Sequence, residues 1–168
     1  MNFEIRTFLE QSNRIEGWGP QGMRGSMHAW DFLRRQRNMT EFIVLETHRL
    51  LMRNWDIEAA GKFRTQEVKK REYGSFVPWE AVPLCLNLWL NVIGEIRDRR
   101  IEDKDRLCES CHIHFQKIYP FERGTGVVGR MLWNWQRMCV FNLPPKIIWE
   151  SEKQDYYQIF YDENRFKY

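Results

Sequence analysis

A chain of 168 residues, 43% hydrophobic and 29% charged, with 15% aromatics that include eight tryptophans, has the make-up of one folded domain and not of a disordered segment. Its 26 Lys and Arg against 23 Asp and Glu leave a formal charge of +3, a near balance that gives no reason to expect a nucleic-acid binder. No apolar stretch reaches the roughly 18 residues of a membrane span, and the start MNFEIRTFLE is not a secretory leader, so the expected location is the cytoplasm, or a host cytosol after delivery.

The apolar spacing is helical almost throughout, so the expected fold class is all-α, a single domain over residues 1–168. Ile5, Leu9, Ser12 and Glu16 share one face of a first helix, residues 3–17, that stops at Gly17. The glycines and the proline of Gly17–Gly25 read as a loop, and Met27–Arg37 as a short second helix. Asn38-x-x-Glu41 reads as a capping box that opens a third helix from Met39 to about Trp55. Residues 61–77 change character: Phe63, Thr65, Val68, Tyr73 and Phe76 stand among charges, which suggests a small hairpin or extended flap. Pro78 and Pro83 lead into a helix over Leu84–Arg97, and the charged run Arg97–Arg106 reads as a solvated turn. A helix over Leu107–Ile118, a glycine loop over Tyr119–Gly126 and a helix over Val127–Phe141 follow. In the last of these, Val128, Leu132, Trp135 and Cys139 form the apolar face, with Arg130, Asn134 and Arg137 opposite. Pro144-Pro145 ends it, and Glu150–Tyr161 forms a closing helix. Trp30, Trp55, Trp89, Trp133 and Trp135 are expected in the core, whereas Trp18 and Trp79 are the candidates for contact with a partner.

Cys85, Cys108, Cys111 and Cys139 are expected to be reduced and mostly packed in the core. Cys108-x-x-Cys111-His112-x-His114 has the look of a metal motif, but on one helix the four side chains spread around the axis, and no second Cys/His pair stands at zinc spacing. No metal site is therefore assigned.

The informative segment is Tyr119-Pro120-Phe121-Glu122-Arg123-Gly124-Thr125-Gly126-Val127-Val128-Gly129-Arg130. Glycines at a helix start let successive N–H groups face one anion, although Gly-x-Gly alone is equally a plain turn. The whole segment resembles the active-site loop of the Fic family, His-Pro-Phe-x-(Asp/Glu)-Gly-Asn-Gly-Arg-x-x-Arg. Further pieces follow the family's order. Leu45–Leu51 with Ala60–Arg64 and Val68 is similar to its entry into the flap, and Phe76–Pro83 to the segment after it. Leu143–Pro145 and Gln154–Tyr157 stand where the family has its closing helix. Ser12-x-x-x-Glu16-Gly17 resembles the inhibitory motif of one class of that family.

The resemblance implies a compact helical bundle with a β-hairpin flap, and an enzyme that transfers AMP from ATP to a hydroxyl of a target protein. It implies that Phe63, Arg64, Lys69, Lys70 and Arg71 lie on the flap where a target docks by strand addition, and that Glu16 pairs with Arg130. The departures concern the chemistry. Tyr119 replaces the histidine that accepts the target's proton, and a phenol titrating near 10 is a poor base at neutral pH. Arg123 replaces the acid that holds Mg²⁺, Thr125 the asparagine and Val127 the first arginine. What survives is Gly124, Gly126 and Arg130. With Arg123 and Thr125 these could hold an anion without a metal, such as a nucleotide phosphate, a sugar phosphate or a target carboxylate.

Three functions stay open: a degenerate protein that regulates or inhibits a partner by binding it, a group-transfer enzyme in which His112 or His114 replaces the base, and an AMP transferase of unusual mechanism. They differ in whether Tyr119 and Arg123 face a nucleotide-sized pocket.

Overall fold

A computed structural model describes residues 2–68, 75–96 and 102–161. Among these residues the secondary structure is helical, and no strand is present. Seven α-helices are described: α1 Phe3–Ile15, α2 Gly22–Leu33, α3 Glu41–Met52, α4 Val82–Ile96, α5 Lys104–Ile118, α6 Thr125–Trp135 and α7 Lys153–Gln158. No helix among the described residues is long and apolar enough to cross a membrane.

α6 is the centre of the molecule, since every one of its 11 residues is buried. α5 lies against it, α4 covers α5 through Trp89 and Phe115 (ring centroids 5.3 Å apart), and α2 and α3 pack as a close pair on another side. α1 reaches α6 through Arg130, and Phe8 meets Trp30 of α2 edge to face at 5.3 Å. Caps set several starts: Asn2 accepts from the Glu4 N–H, Thr40 from the Ile43 N–H and Asp103 from the Arg106 N–H.

Several element boundaries differ from the sequence expectation, each for a local reason. α2 begins at Gly22, inside the expected loop, and ends at Leu33. Its Gly25 looks like a loop signal in the sequence, yet a Cβ there would stand 2.3 Å from the Leu51 carbonyl oxygen, so the glycine serves the close approach of α2 to α3. The cap of α3 is Thr40, not Asn38, and the helix ends at Met52. Trp55 therefore lies beyond the helix and is 44% exposed rather than in the core. α4 starts two residues early, at Val82. α5 starts at Lys104, because a polar first turn capped by Asp103 leaves no apolar trace. The closing helix is shorter than expected and is preceded by a 3₁₀ turn, Glu150–Glu152.

The expected polar face of α6 is not solvated. Arg130, Asn134 and Arg137 are all buried, because the chain after α6 folds back over them. The Asn134 amide donates to the Lys146 carbonyl and accepts from its N–H, and Arg137 donates to the Pro144 carbonyl and to Asp105. After Trp135 the helix widens into a π turn, Gln136–Val140, closed by Phe141 N–H to Gln136 O at 3.2 Å. That turn shifts the helical register, and Cys139 comes out exposed instead of on the apolar face. Cys108 and Cys111 are buried as expected, with burial pushing their thiols up to about 12 and about 11.

The hairpin is not shown. Residues 62–68 and 75–78 run without strand pairing, and Lys69, Lys70, Arg71 and Tyr73 lie outside the described residues, as do 97–101 of the charged turn.

Candidate functional site

The loop between α5 and α6 starts with a backbone turn that few residues adopt. Tyr119 is the C-cap of α5 at φ 47°, in the left-handed region. Its side chain is 1% exposed and packs on Phe76 (ring centroids 4.5 Å apart) in a cluster with Ile15, Cys108, Ile113, Trp133 and Tyr156. Tyr119 thus points into an aromatic core and not into an open pocket.

Arg64, expected on a target-docking surface, is buried beneath the loop. Its guanidinium donates to the carbonyls of Tyr119 (2.7 Å), Gln66 (3.0 Å), Ile118 (3.5 Å) and Val77. A buried cation is tolerable here because several carbonyl dipoles, two of them at the C-terminus of α5, face it. The Arg64 N–H also donates to the Pro120 carbonyl, and Val77 N–H to that of Lys117. One side chain therefore joins both described arms of the flap segment to the loop.

His48 of α3, which no spacing in the sequence singled out, holds the loop from the other side. Its ring stacks on Phe121 at 3.7 Å with a 3° interplanar angle. The Gly61 N–H donates to Nδ1 (2.9 Å), which leaves the proton on Nε2 to donate to the Arg123 carbonyl (3.0 Å). Burial pushes His48 down to about 4, so it is neutral at pH 7.

Gly124 opens α6 at φ 77°, a conformation that favours glycine, and the Leu51, Met52 and Trp18 side chains stand 3.2–3.4 Å from where a Cβ would be. The Trp18 ring is in turn stacked on Trp55 at 5.2 Å. Thr125 turns inward, its hydroxyl donating to the Phe121 carbonyl (3.0 Å) and accepting from the Phe121 N–H (3.1 Å). Gly124 to Val127 are all buried, and of the loop's charged groups only Glu122 and Arg123 are exposed.

Arg130 lies one turn further and faces inward. Its Nε donates to Ser12 Oγ (2.8 Å) and its Nη2 to the Ser12 carbonyl (3.0 Å) and to Glu16 Oε1 (3.0 Å). The Arg130 and Glu16 side chains are 3% and 8% exposed. Nη1 donates to the Tyr156 hydroxyl (3.4 Å), which donates to His112 Nε2 (2.9 Å), and His112 Nδ1 donates to the Gly129 carbonyl (3.1 Å). Burial and then the Arg130 charge push His112 down to about 3. With both nitrogens engaged and protonation disfavoured, His112 is not a replacement base. His114 is half-buried, and burial lowers its pKa too. Two exposed cations therefore do not flank the glycine turn: Arg123 reaches solvent and Arg130 is internal.

The family model for the Fic/DOC family matches residues 38–136. The chain belongs to the Fic/DOC family. Among solved structures, the Fic fold is matched by a Fic-domain signalling protein of Bacteroides thetaiotaomicron VPI-5482 (TM-score 0.80, 20% identity, 95% of this chain and 70% of that one). A point variant of Fic-1 from C. elegans matches with TM-score 0.83 and 20% identity, over 99% of this chain and 57% of that one. A Fic family protein of Desulfovibrio desulfuricans G20 matches with TM-score 0.65 and 21% identity, over 96% and 57%. The chain thus spans a little over half the length of two of these proteins. Comparison with curated proteins finds no match.

On the loop alignment that the resemblance implies, Arg123 stands where the family's metal-holding acid would be, and a permanent cation does not fit a magnesium ion. Trp18, the loop candidate for a partner contact, is half-buried, with its ring against Gly124. Trp79 remains 37% exposed. Nothing local in the sequence marks His48 or Tyr156, because their roles depend on residues 75 and 26 positions away.

Proposed function

We propose that this Fic domain has lost ordinary AMP transfer and acts as a regulator or inhibitor that binds a partner protein. The observation that carries the reading is Tyr119: where the family keeps an accessible base, this chain has a phenol buried among aromatic side chains. Arg123 at the metal position supports it, and so does Arg130, which Ser12, Glu16 and Tyr156 already occupy. A phosphate-bearing ligand fits less well, since Gly124 to Val127 are buried beneath the chain's own side chains.

The partner docks at the flap segment. Its described arms, 62–68 and 75–78, run without strand pairing, with the main-chain groups of Arg64, Gln66 and Val77 engaged inside the domain, and Lys62, Lys69, Lys70 and Arg71 make the segment basic. An extended, acidic segment is the complementary shape and charge. Basic groups at a rim mainly accelerate encounter, so binding weakens with salt. The test is to identify the partner by crosslinking and then to measure its affinity for wild type and for a Lys69→Ala, Lys70→Ala, Arg71→Ala variant at low salt. The variant is expected to bind at least tenfold more weakly. Equal affinity with an unchanged fold would remove the flap as the docking edge.

A further inference from the structure

Arg130 is held from two sides by helices far apart in the chain. α1 supplies Ser12 and Glu16. α7 supplies Tyr156, whose hydroxyl accepts from Arg130 Nη1 (3.4 Å) and whose ring centre lies 5.6 Å from the guanidinium carbon. The α1 side is explained by its carboxylate. The α7 side needs a further cause, because a hydroxyl donates as readily as it accepts, and a proton aimed at a guanidinium would repel it.

His112 of α5 sets the direction. The Gly129 carbonyl can only accept, so the His112 proton sits on Nδ1 (3.1 Å) and Nε2 is left as an acceptor. The imidazole is buried, stacked on Trp133 at 4.4 Å with a 16° interplanar angle, and lies beside the Arg130 charge, so it stays neutral. Tyr156 therefore gives its proton to Nε2 (2.9 Å), and the lone pairs of its oxygen face Arg130. The donors run from Arg130 through Tyr156 and His112 to the carbonyl of Gly129, the residue before Arg130. α6 thus orients its own arginine through α7 and α5, and no link of that chain passes through Glu16. We propose that Tyr156, oriented by His112, is a second latch that keeps Arg130 turned inward independently of Glu16. This rests on the reading above that the chain's own groups occupy Arg130. It adds that loosening α1 alone does not present the guanidinium to an anion or to a partner.

Phenylglyoxal, which modifies guanidinium groups that reach solvent, tests this by peptide mass spectrometry on wild type, Glu16→Gly, Tyr156→Phe and the double variant. For a buried arginine that opens and closes quickly, the rate follows the population of the opened form. Tyr156→Phe keeps the ring and removes only the oxygen. It should speed modification of Arg130 by a factor on the order of ten, and by the same factor with or without Glu16. Arg64, whose side chain is buried under the α5–α6 loop, is the internal control and should keep its rate. No change at Arg130, a change that depends on Glu16, or an equal change at Arg64 would each overturn the proposal. Imidazole nitrogen NMR shifts of the wild type read the direction of the chain without any substitution. His112 should carry its proton on Nδ1 at neutral pH, and a proton on Nε2 would overturn the proposal as well. Both readouts use the protein alone, so they are decided apart from whether the flap binds a partner.

Discussion

Arg130 keeps a full charge inside the protein because Ser12 supplies two acceptors, Glu16 a carboxylate and Tyr156 a hydroxyl. A buried ion pair contributes little net stability, but removing one partner leaves the other charge desolvated. Glu16→Ala is expected to lower unfolding stability by about 1–3 kcal/mol, since the Ser12 acceptors remain. Urea denaturation checks this, and an unchanged midpoint would mean that solvent already screens Arg130. Tyr119 shows a different constraint. Its left-handed backbone is paid for by packing on Phe76, so its ring is a wedge in the core. Tyr119→Ala should cost about 3–5 kcal/mol, the usual loss for a large buried aromatic. A loss under 1 kcal/mol would show that the ring is free to leave the core.

Arg64 does for the elements what Arg130 does for the residues around it, tying the end of α5 to residues 66 and 77. Arg64→Ala leaves those carbonyls without their donor in the interior and should cost about 3–5 kcal/mol. It should also raise amide exchange across 62–68 and 75–78 more than elsewhere; uniform exchange would contradict the tie. Gly25→Ala tests the α2–α3 pair in the opposite sense. The added methyl would stand 2.3 Å from the Leu51 oxygen, so overpacking of about 1–3 kcal/mol is expected despite alanine's better helix propensity. The same glycine shows why some boundaries were hidden in the sequence. The periodic cores of α1, α3, α4, α5 and α6 were legible, because their apolar residues recur at helical spacing. Gly22 and Gly25 looked like punctuation but serve a close contact, and the polar start of α5 left no period to read. Arg130, Asn134 and Arg137 stand opposite the apolar face of α6, and a single helix cannot reveal that residues 144–146 will cover Asn134 and Arg137. At the site, the glycine turn and the Ser12, Glu16 and Arg130 positions were legible from motif order. The inward turn of Thr125 and Arg64, and the part played by His48, exist only once distant segments meet.

At the scale of the whole molecule, two buried neutral histidines make the fold acid-labile. His48 sits at about 4 and His112 at about 3, against 6.5 for an exposed imidazole. Between those values the unfolded chain binds protons that the native state refuses, so stability is whole above about pH 6.5 and falls as the pH drops toward 4 and then 3. His48 alone can account for about 3 kcal/mol of that loss. Urea midpoints should hold from pH 7.5 to about 6.5 and decline from there to 4.5, and a flat or rising profile below pH 6.5 would contradict neutral His48. The same compactness bears on function: α1, α3, the flap arms and α6 all close on one loop, and Trp18, Met52 and Leu51 lie against its glycine. A site that was only inhibited would regain chemistry once the α1 contact was loosened, whereas a site that has lost its base and metal position would not. The direct test is incubation of wild type and Glu16→Gly with labelled ATP, Mg²⁺ and cell extract. Neither protein is expected to transfer label to itself or to any other protein. A labelled band that appears with Glu16→Gly and vanishes when Arg130→Ala is added would show a working AMP transferase, and the binding-only reading would be wrong.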